Sequence, residues 1–116
     1  MNKIISLITT ALLLVSCSAK KDLRIDKHSF SEPHNVQTTH LDLDVKIDFE
    51  QEVISGKATY TLNNIVGISE LILDANGLII DSITSLGENC TYSFGEKDAV
   101  LGQALRVEID KKATEL

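Results

Sequence analysis

Apolar and polar residues alternate along two neighbouring segments of the chain. In the first segment the apolar residues take the odd positions, Leu41, Leu43, Val45, Ile47 and Phe49. After a short polar break the phase reverses, and the even positions are Ile54, Gly56, Ala58, Tyr60 and Leu62. Because successive side chains of a strand point to opposite faces, both segments have one apolar and one polar face. The pattern predicts a β-hairpin over residues 39–62 that lies on a core, with its other face in water.

Shorter apolar runs predict further strands after this hairpin. Residues 70–75 form one such run, and residues 78–86 form another after the turn signal at Asn76 and Gly77. Residues 91–94 alternate briefly, and residues 105–110 alternate again as a last strand. Beyond the amino terminus no segment has a convincing helical period. The sequence therefore predicts an all-β fold, a sandwich or curved sheet that is incomplete within this chain.

The amino terminus follows a different pattern. Lys3 precedes an apolar run over residues 4–14, and Leu-Val-Ser-Cys closes it at Cys17. These features are typical of a helical secretory signal peptide over residues 1–16, and the Cys ending resembles a bacterial lipobox. We expect Cys17 to become the lipidated amino terminus, anchored to a membrane of the bacterial cell envelope. The alternative is an ordinary signal peptide with an incidental Cys. Residues 17–35 are interpreted as a tether and ordered arm, and residues 36–116 as a partial β domain.

Charge and cysteine content narrow the partners. The 116-residue chain carries a formal net charge of −6, which argues against nucleic acid, since phosphates need a basic patch. It contains two Cys, so lipidation of Cys17 would leave Cys90 alone. A lone Cys beside an aromatic strand is interpreted as a small buried hydrophobe.

The sequence contains no recognisable catalytic motif. A zinc hydrolase motif His-Glu-x-x-His is absent, because Ser, Asn and Leu follow the histidines at His28, His34 and His40. Gly56-Lys57 lacks the preceding glycines of a phosphate loop, and no serine lies in a nucleophile elbow. We therefore assign no catalytic, cofactor-binding or metal residue to this chain.

The polar face of the first predicted strand is the best candidate site inside the chain. Its acidic and imidazole side chains lie about 7 Å apart on one face, which is close enough for two neighbours to share a metal ion. The alternative is a solvated face whose charge discourages edge pairing. The solvated face is favoured, because no ligand-bearing loop or glycine turn converges there. The residues concerned are His40, Asp42, Asp44, Asp48 and Glu50.

An ordered set of segments carries a family resemblance. They are residues 26–33 (DKHSFSEP), the hairpin 39–62, residues 71–74 (LILD), 77–83 (GLIIDSI), 94–96 (FGE) and 101–107 (LGQALRV). In order and spacing this set resembles the start of zinc aminopeptidases of the aminopeptidase N family, most closely the leukotriene hydrolase-like branch. The resemblance covers about residues 26–116. It implies an antiparallel, saddle-like amino-terminal β domain packed on a downstream catalytic domain. That later domain would hold the zinc and cleave amino-terminal residues from peptides.

The resemblance places no zinc ligand or catalytic residue on this chain, since those of the family lie in the later domain. We therefore expect a non-catalytic scaffold that is inactive alone. Its partners would be the downstream catalytic domain, the membrane through Cys17 and, in the full-length protein, a peptide substrate. There are two alternative hypotheses. One is a free-standing β-sandwich binding lipoprotein, and the other is an inhibitor or regulator derived from such a domain.

Overall fold

The structure, a computed structural model, describes residues 26–116. The predicted signal peptide and Cys17 lie outside these residues. All regular elements of the described part are strands, and every strand pair is antiparallel, which confirms the all-β prediction. The strands are β1 (Val36–Asp48), β2 (Val53–Asn64), β3 (Glu70–Ala75), β4 (Thr84–Ser85), β5 (Glu88–Asn89), β6 (Tyr92–Phe94) and β7 (Gln103–Glu108). Within residues 26–116 the structure contains no helix long and apolar enough to cross a membrane.

Strands β1 and β2 form the predicted hairpin in the predicted phase. Leu43 lies opposite Ala58 on the apolar face, and Asp44 lies opposite Lys57 on the polar face. The register shifts once, at Thr39, where the bulge adds one residue to β1. A bulge of this kind changes the phase of a strand, so Val36 reaches the same face as Leu41 despite its even number.

The core forms around a second sheet of order β3-β7-β6. Val107 lies at its centre with no exposed surface, between Leu71 on β3 and Tyr92 on β6. The predicted alternation of β7 is confirmed, because Leu105 and Val107 are buried whereas Arg106 is exposed. The hairpin contributes to this core only through its open end. The buried cluster consists of Val36, Leu62, Leu71, Ala75, Leu105, Val107, Ile109 and Ala113.

The predicted fourth strand over residues 78–86 is wrong for most of its length. Only Thr84 and Ser85 are in a strand, where they pair with Glu88 and Asn89 in a small third sheet. Residues 78–83 form an irregular segment beside the hairpin. Leu78 and Ile79 are exposed, so this run lacks the buried face that a half-buried strand would have.

Side-chain hydrogen bonds fix the connections between these sheets. The Asn64 side chain accepts from the backbone N–H groups of Gly67 and Ile68, at 3.0 and 3.1 Å, and donates to the carbonyls of Ile68 and Lys111. It therefore links the end of the hairpin to the segment after β7. On the opposite side, the Asp74 carboxylate accepts from the Phe30 N–H at 2.7 Å and holds the amino-terminal arm on β3.

Candidate functional site

The acidic face of β1 does not assemble into a ligand cage. His40 Nε2 and Asp42 Oδ1 are 3.3 Å apart and both side chains are exposed. Asp48 instead accepts hydrogen bonds from the N–H groups of Glu50 and Gln51 and shapes the hairpin turn. Among residues 26–116 no group of three or more His, Cys, Asp or Glu side chains could hold a metal ion. The described residues therefore offer no set of side chains that could coordinate a zinc ion.

The remaining ionisable groups hold local structure. Burial raises the pKa of the Cys90 thiol, which packs against the core and stays protonated at neutral pH. Backbone N–H groups of Leu101 and Val100 lower the pKa of the exposed Asp98 carboxyl, which accepts a hydrogen bond from each. Arg106 and Glu70 pair across β7 and β3 at 3.0 Å on the exposed face. None of these groups lies beside a second reactive group in a cleft.

The apolar face of the hairpin is covered by the core at one end and exposed at the other. Near the open end it joins the core through Leu62, but further out the described residues leave it uncovered. Leu43 is 62% exposed and Ile54 is 70% exposed. The expectation that the whole hairpin lies on a core is therefore wrong for its outer half. A large uncovered apolar patch is typical of an interaction surface.

An open groove of about 450 Å³ runs along this face. One wall is formed by β2 at Gly56, Lys57, Ala58 and Tyr60, and the other by the irregular segment at residues 78–83 together with Thr84 of β4. Side chains of the core sheet and the last residue of the chain complete the lining. The main apolar residues of the groove are Ala58, Tyr60, Leu73, Leu78, Ile79, Ile80, Ile83, Leu105 and Leu116.

The carboxyl-terminal residues already occupy one end of this groove. Leu116 exchanges two backbone hydrogen bonds with Tyr60, at 2.8 and 3.0 Å, and the Leu62 N–H donates to the Thr114 carbonyl at 2.8 Å. Thr61 lies opposite Glu115 in an antiparallel bridge. Ser85 on β4 donates its hydroxyl to the Glu115 carbonyl and holds the segment from the other side. The outer edge of β2 is thus paired at Tyr60 and Leu62. Further along the strand Gly56, Lys57 and Ala58 line the groove, and among the described residues no strand pairs with residues 53–59 on that edge.

The groove and the adjacent edge of β2 present two kinds of surface. They offer an apolar floor and a row of backbone donors and acceptors, which together recognise an extended polypeptide. The alternation of β1 and β2 indicated the apolar face, but the groove depends on residues 78–84, which were predicted as a strand. Only the run of Leu78, Ile79, Ile80 and Ile83 signalled an apolar contact there.

The described residues thus form an all-β module whose hairpin has an uncovered apolar face. No protein-family model matches the chain. In sequence it is similar to "Leucine aminopeptidase 2-2" of the yeast Scheffersomyces stipitis, with 28% identity over 86 residues, or 73% of the chain. It is also similar to "Leucine aminopeptidase 2" of Vanderwaltozyma polyspora, with 28% identity over 94 residues, or 80% of the chain.

These similarities indicate a chain related to aminopeptidases. They cover 14% of the length of each yeast protein, so the chain spans about one seventh of the relatives it matches. The similar region is long enough to contain most of the described strands. It supports a relationship at the level of a domain, and the activity of the whole proteins comes to this chain only as a proposal.

Proposed function

We propose that this chain is the non-catalytic amino-terminal scaffold of a secreted zinc aminopeptidase of the aminopeptidase N family, in its leukotriene hydrolase-like bacterial branch. The observation that carries the proposal is the similarity to two leucine aminopeptidases over most of the chain. The all-β fold is compatible with this role, since its sheets offer surfaces on which another domain can pack. The zinc, the catalytic groups and the peptide site would belong to a downstream domain of the longer protein.

In this role the hairpin supports the catalytic domain. Its outer half carries apolar side chains that are more than 40% exposed at Leu41, Leu43, Val45 and Ile47. Burial of one such side chain contributes about 1.5–3 kcal/mol, so covering this row would bind a neighbouring domain firmly. The acidic opposite face would stay in water and keep the module soluble.

The test is expression of the complete reading frame that begins with these residues, next to the 116-residue chain alone. Hydrolysis of leucine p-nitroanilide is the readout, with and without a zinc chelator. We expect chelator-sensitive hydrolysis by the longer protein and none by the 116-residue chain. A reading frame that ends at Leu116, a longer product without aminopeptidase activity, or activity in the short chain would each contradict the proposal.

The second part of the proposal is a lipid anchor at Cys17, which would place the protein in the bacterial cell envelope. The chain offers a matched control, because Cys90 is its only other cysteine. Cys17→Ser should abolish incorporation of labelled palmitate and release the protein from the membrane fraction, whereas Cys90→Ser should change neither. Normal membrane retention and labelling of the Cys17→Ser protein would remove the anchor from the proposal.

A free-standing binding lipoprotein is the second candidate function. The groove beside β2 favours it, since an open apolar groove of about 450 Å³ has the size of a ligand site. The two functions differ in the reading frame: a stop codon directly after Leu116 favours the binding lipoprotein, and a downstream His-Glu-x-x-His favours the aminopeptidase.

A further inference from the structure

We propose that the outer edge of β2 is a docking site for one extended strand, which runs antiparallel to β2 through the groove. The strand would be the segment that directly follows Leu116 in the longer protein. This source of the strand rests on the proposed function. The direct observation is that residues 114–116 already pair with Tyr60 and Leu62 in this direction. The docking site thus extends the pairing between residues 114–116 and the outer edge of β2.

The backbone of β2 provides the hydrogen-bonding groups for such a strand. The N–H groups of Tyr60 and Leu62 point to the outer edge, where they bind the carboxyl-terminal residues. Because every second residue of a strand points to the same edge, the N–H and C=O groups of Ile54, Gly56 and Ala58 also point outwards. Within residues 26–116 no backbone group pairs with these three residues on that edge. A row of unpaired groups at a sheet edge is a template for an incoming strand.

The observed register fixes the sequence pattern of the incoming strand. Glu115 lies opposite Thr61, so the first residue after Leu116 would lie opposite Thr59 and the sixth opposite Ile54. Residues opposite each other share a face of the sheet. The second, fourth and sixth residues must therefore be apolar, since they would share the face of Ala58, Gly56 and Ile54. The first, third and fifth would lie on the polar face.

The groove explains why the strand needs apolar side chains on one face only. On that face it would contact the irregular segment at residues 78–83, where Ile79 is 95% exposed. Leu73 and Leu105 of the core sheet lie at the same groove. One strand would therefore cover side chains from the hairpin, the irregular segment and the core together.

The experiment adds six residues to the carboxyl terminus of the complete 116-residue chain. One extension is three Thr-Val repeats, which place Val opposite Ala58, Gly56 and Ile54. The control is three Val-Thr repeats, which have the same composition in the opposite phase. We expect the in-phase extension to raise the melting temperature by about 5–10 °C and to slow amide exchange at Ile54, Gly56 and Ala58 at least tenfold. The out-of-phase extension should do neither.

Equal effects of the two extensions, or no slowing of these amides, would overturn the proposal. Circular dichroism establishes that both chains fold, and the same two sequences added as free peptides to the unextended chain give a second comparison of phase. A dimer of the unextended chain that dissociates on in-phase extension supports the docking site. If the dimer persists and neither extension slows exchange at Ile54, Gly56 and Ala58 further, a second copy occupies this edge and the assignment of the strand is overturned.

This result is separable from the proposed function. The extension experiment needs no catalytic domain, so the docking site can be confirmed even if the longer protein lacks aminopeptidase activity. Conversely, an active longer protein whose residues after Leu116 lack the apolar second, fourth and sixth positions would keep the function and remove this inference.

Discussion

Gly56 shows how a single residue fixes the shape of the hairpin. Its φ is +153°, and a Cβ atom there would meet the Asp44 carbonyl oxygen and lie 2.7 Å from the Val45 Cα. Both contacts are backbone atoms of β1, which cannot move aside without loss of the register. The small residue in the apolar series is thus required by close approach of the two strands.

Gly56→Ala is therefore expected to destabilise the protein by about 1–3 kcal/mol. Gly95→Ala is the matched control, because a Cβ at Gly95 would find its nearest atoms at 3.5 Å or more, in ordinary contact. Urea unfolding of both variants measures the difference. Equal stabilities of the two variants would contradict the close approach at Gly56.

Asn64 provides a second prediction at the residue scale. Its half-buried amide makes four hydrogen bonds to the backbone of residues 67, 68 and 111. Asn64→Ala leaves these partners unpaired and should cost about 2–3 kcal/mol of the free energy of unfolding. The neighbouring Asn63→Ala makes the same chemical change at an exposed side chain and should cost less than about 0.5 kcal/mol. Thermal unfolding of the pair tests this, and comparable losses would show that Asn64 is not the link between hairpin and core.

Asp98 gives a prediction for pH. Its carboxylate accepts from the N–H groups of Val100 and Leu101, which lower its pKa in the folded protein. A lowered folded pKa means that the contribution to stability is present above the ordinary value and is lost as pH falls through the folded value. The amide shifts of Val100 and Leu101 should therefore titrate with a midpoint below the ordinary pKa of an Asp carboxyl, and Asp98→Asn should remove the transition. A midpoint at or above the ordinary value in nuclear magnetic resonance would contradict this geometry.

At the scale of elements, the sequence predicted strands where alternation was clear. Residues 36–48 and 103–108 are strands because their apolar side chains share one face and find a paired neighbour. Residues 78–83 are equally rich in apolar side chains but have no ladder partner among the described residues. An Ile-rich segment forms a strand only where a free sheet edge supplies backbone hydrogen-bond partners. The composition of residues 78–83 therefore led to a wrong strand prediction.

The candidate site could be predicted only in part, for a related reason. Alternation reports which residues share a face, and it placed Leu43 and Ile54 together correctly. It does not report whether another element covers that face, which depends on contacts distant in sequence. The pairing of residues 114–116 with β2 could not be predicted from alternation either, since residues 113–116 carry no strand pattern.

At the scale of the whole molecule, the described chain combines a small core with a long hairpin that extends beyond it. The core holds the inner end of the hairpin, whereas the outer end exposes both an edge and an apolar face. Such surfaces associate in water because burial of apolar area is favourable and unpaired edges seek partners. The 116-residue chain should therefore self-associate through the outer half of its hairpin.

The double variant Val45→Thr with Ile54→Thr tests this expectation. Both positions are β-branched and exposed on the apolar face, so Thr keeps the strand preference and removes only apolar surface. Sedimentation velocity over a concentration series should show at least tenfold weaker association, with little loss of melting temperature. Ile65→Thr with Val66→Thr is the control, because it makes the same chemical changes at exposed residues outside the hairpin. If the two double variants associate equally strongly, the contact between copies does not involve the apolar face of the hairpin.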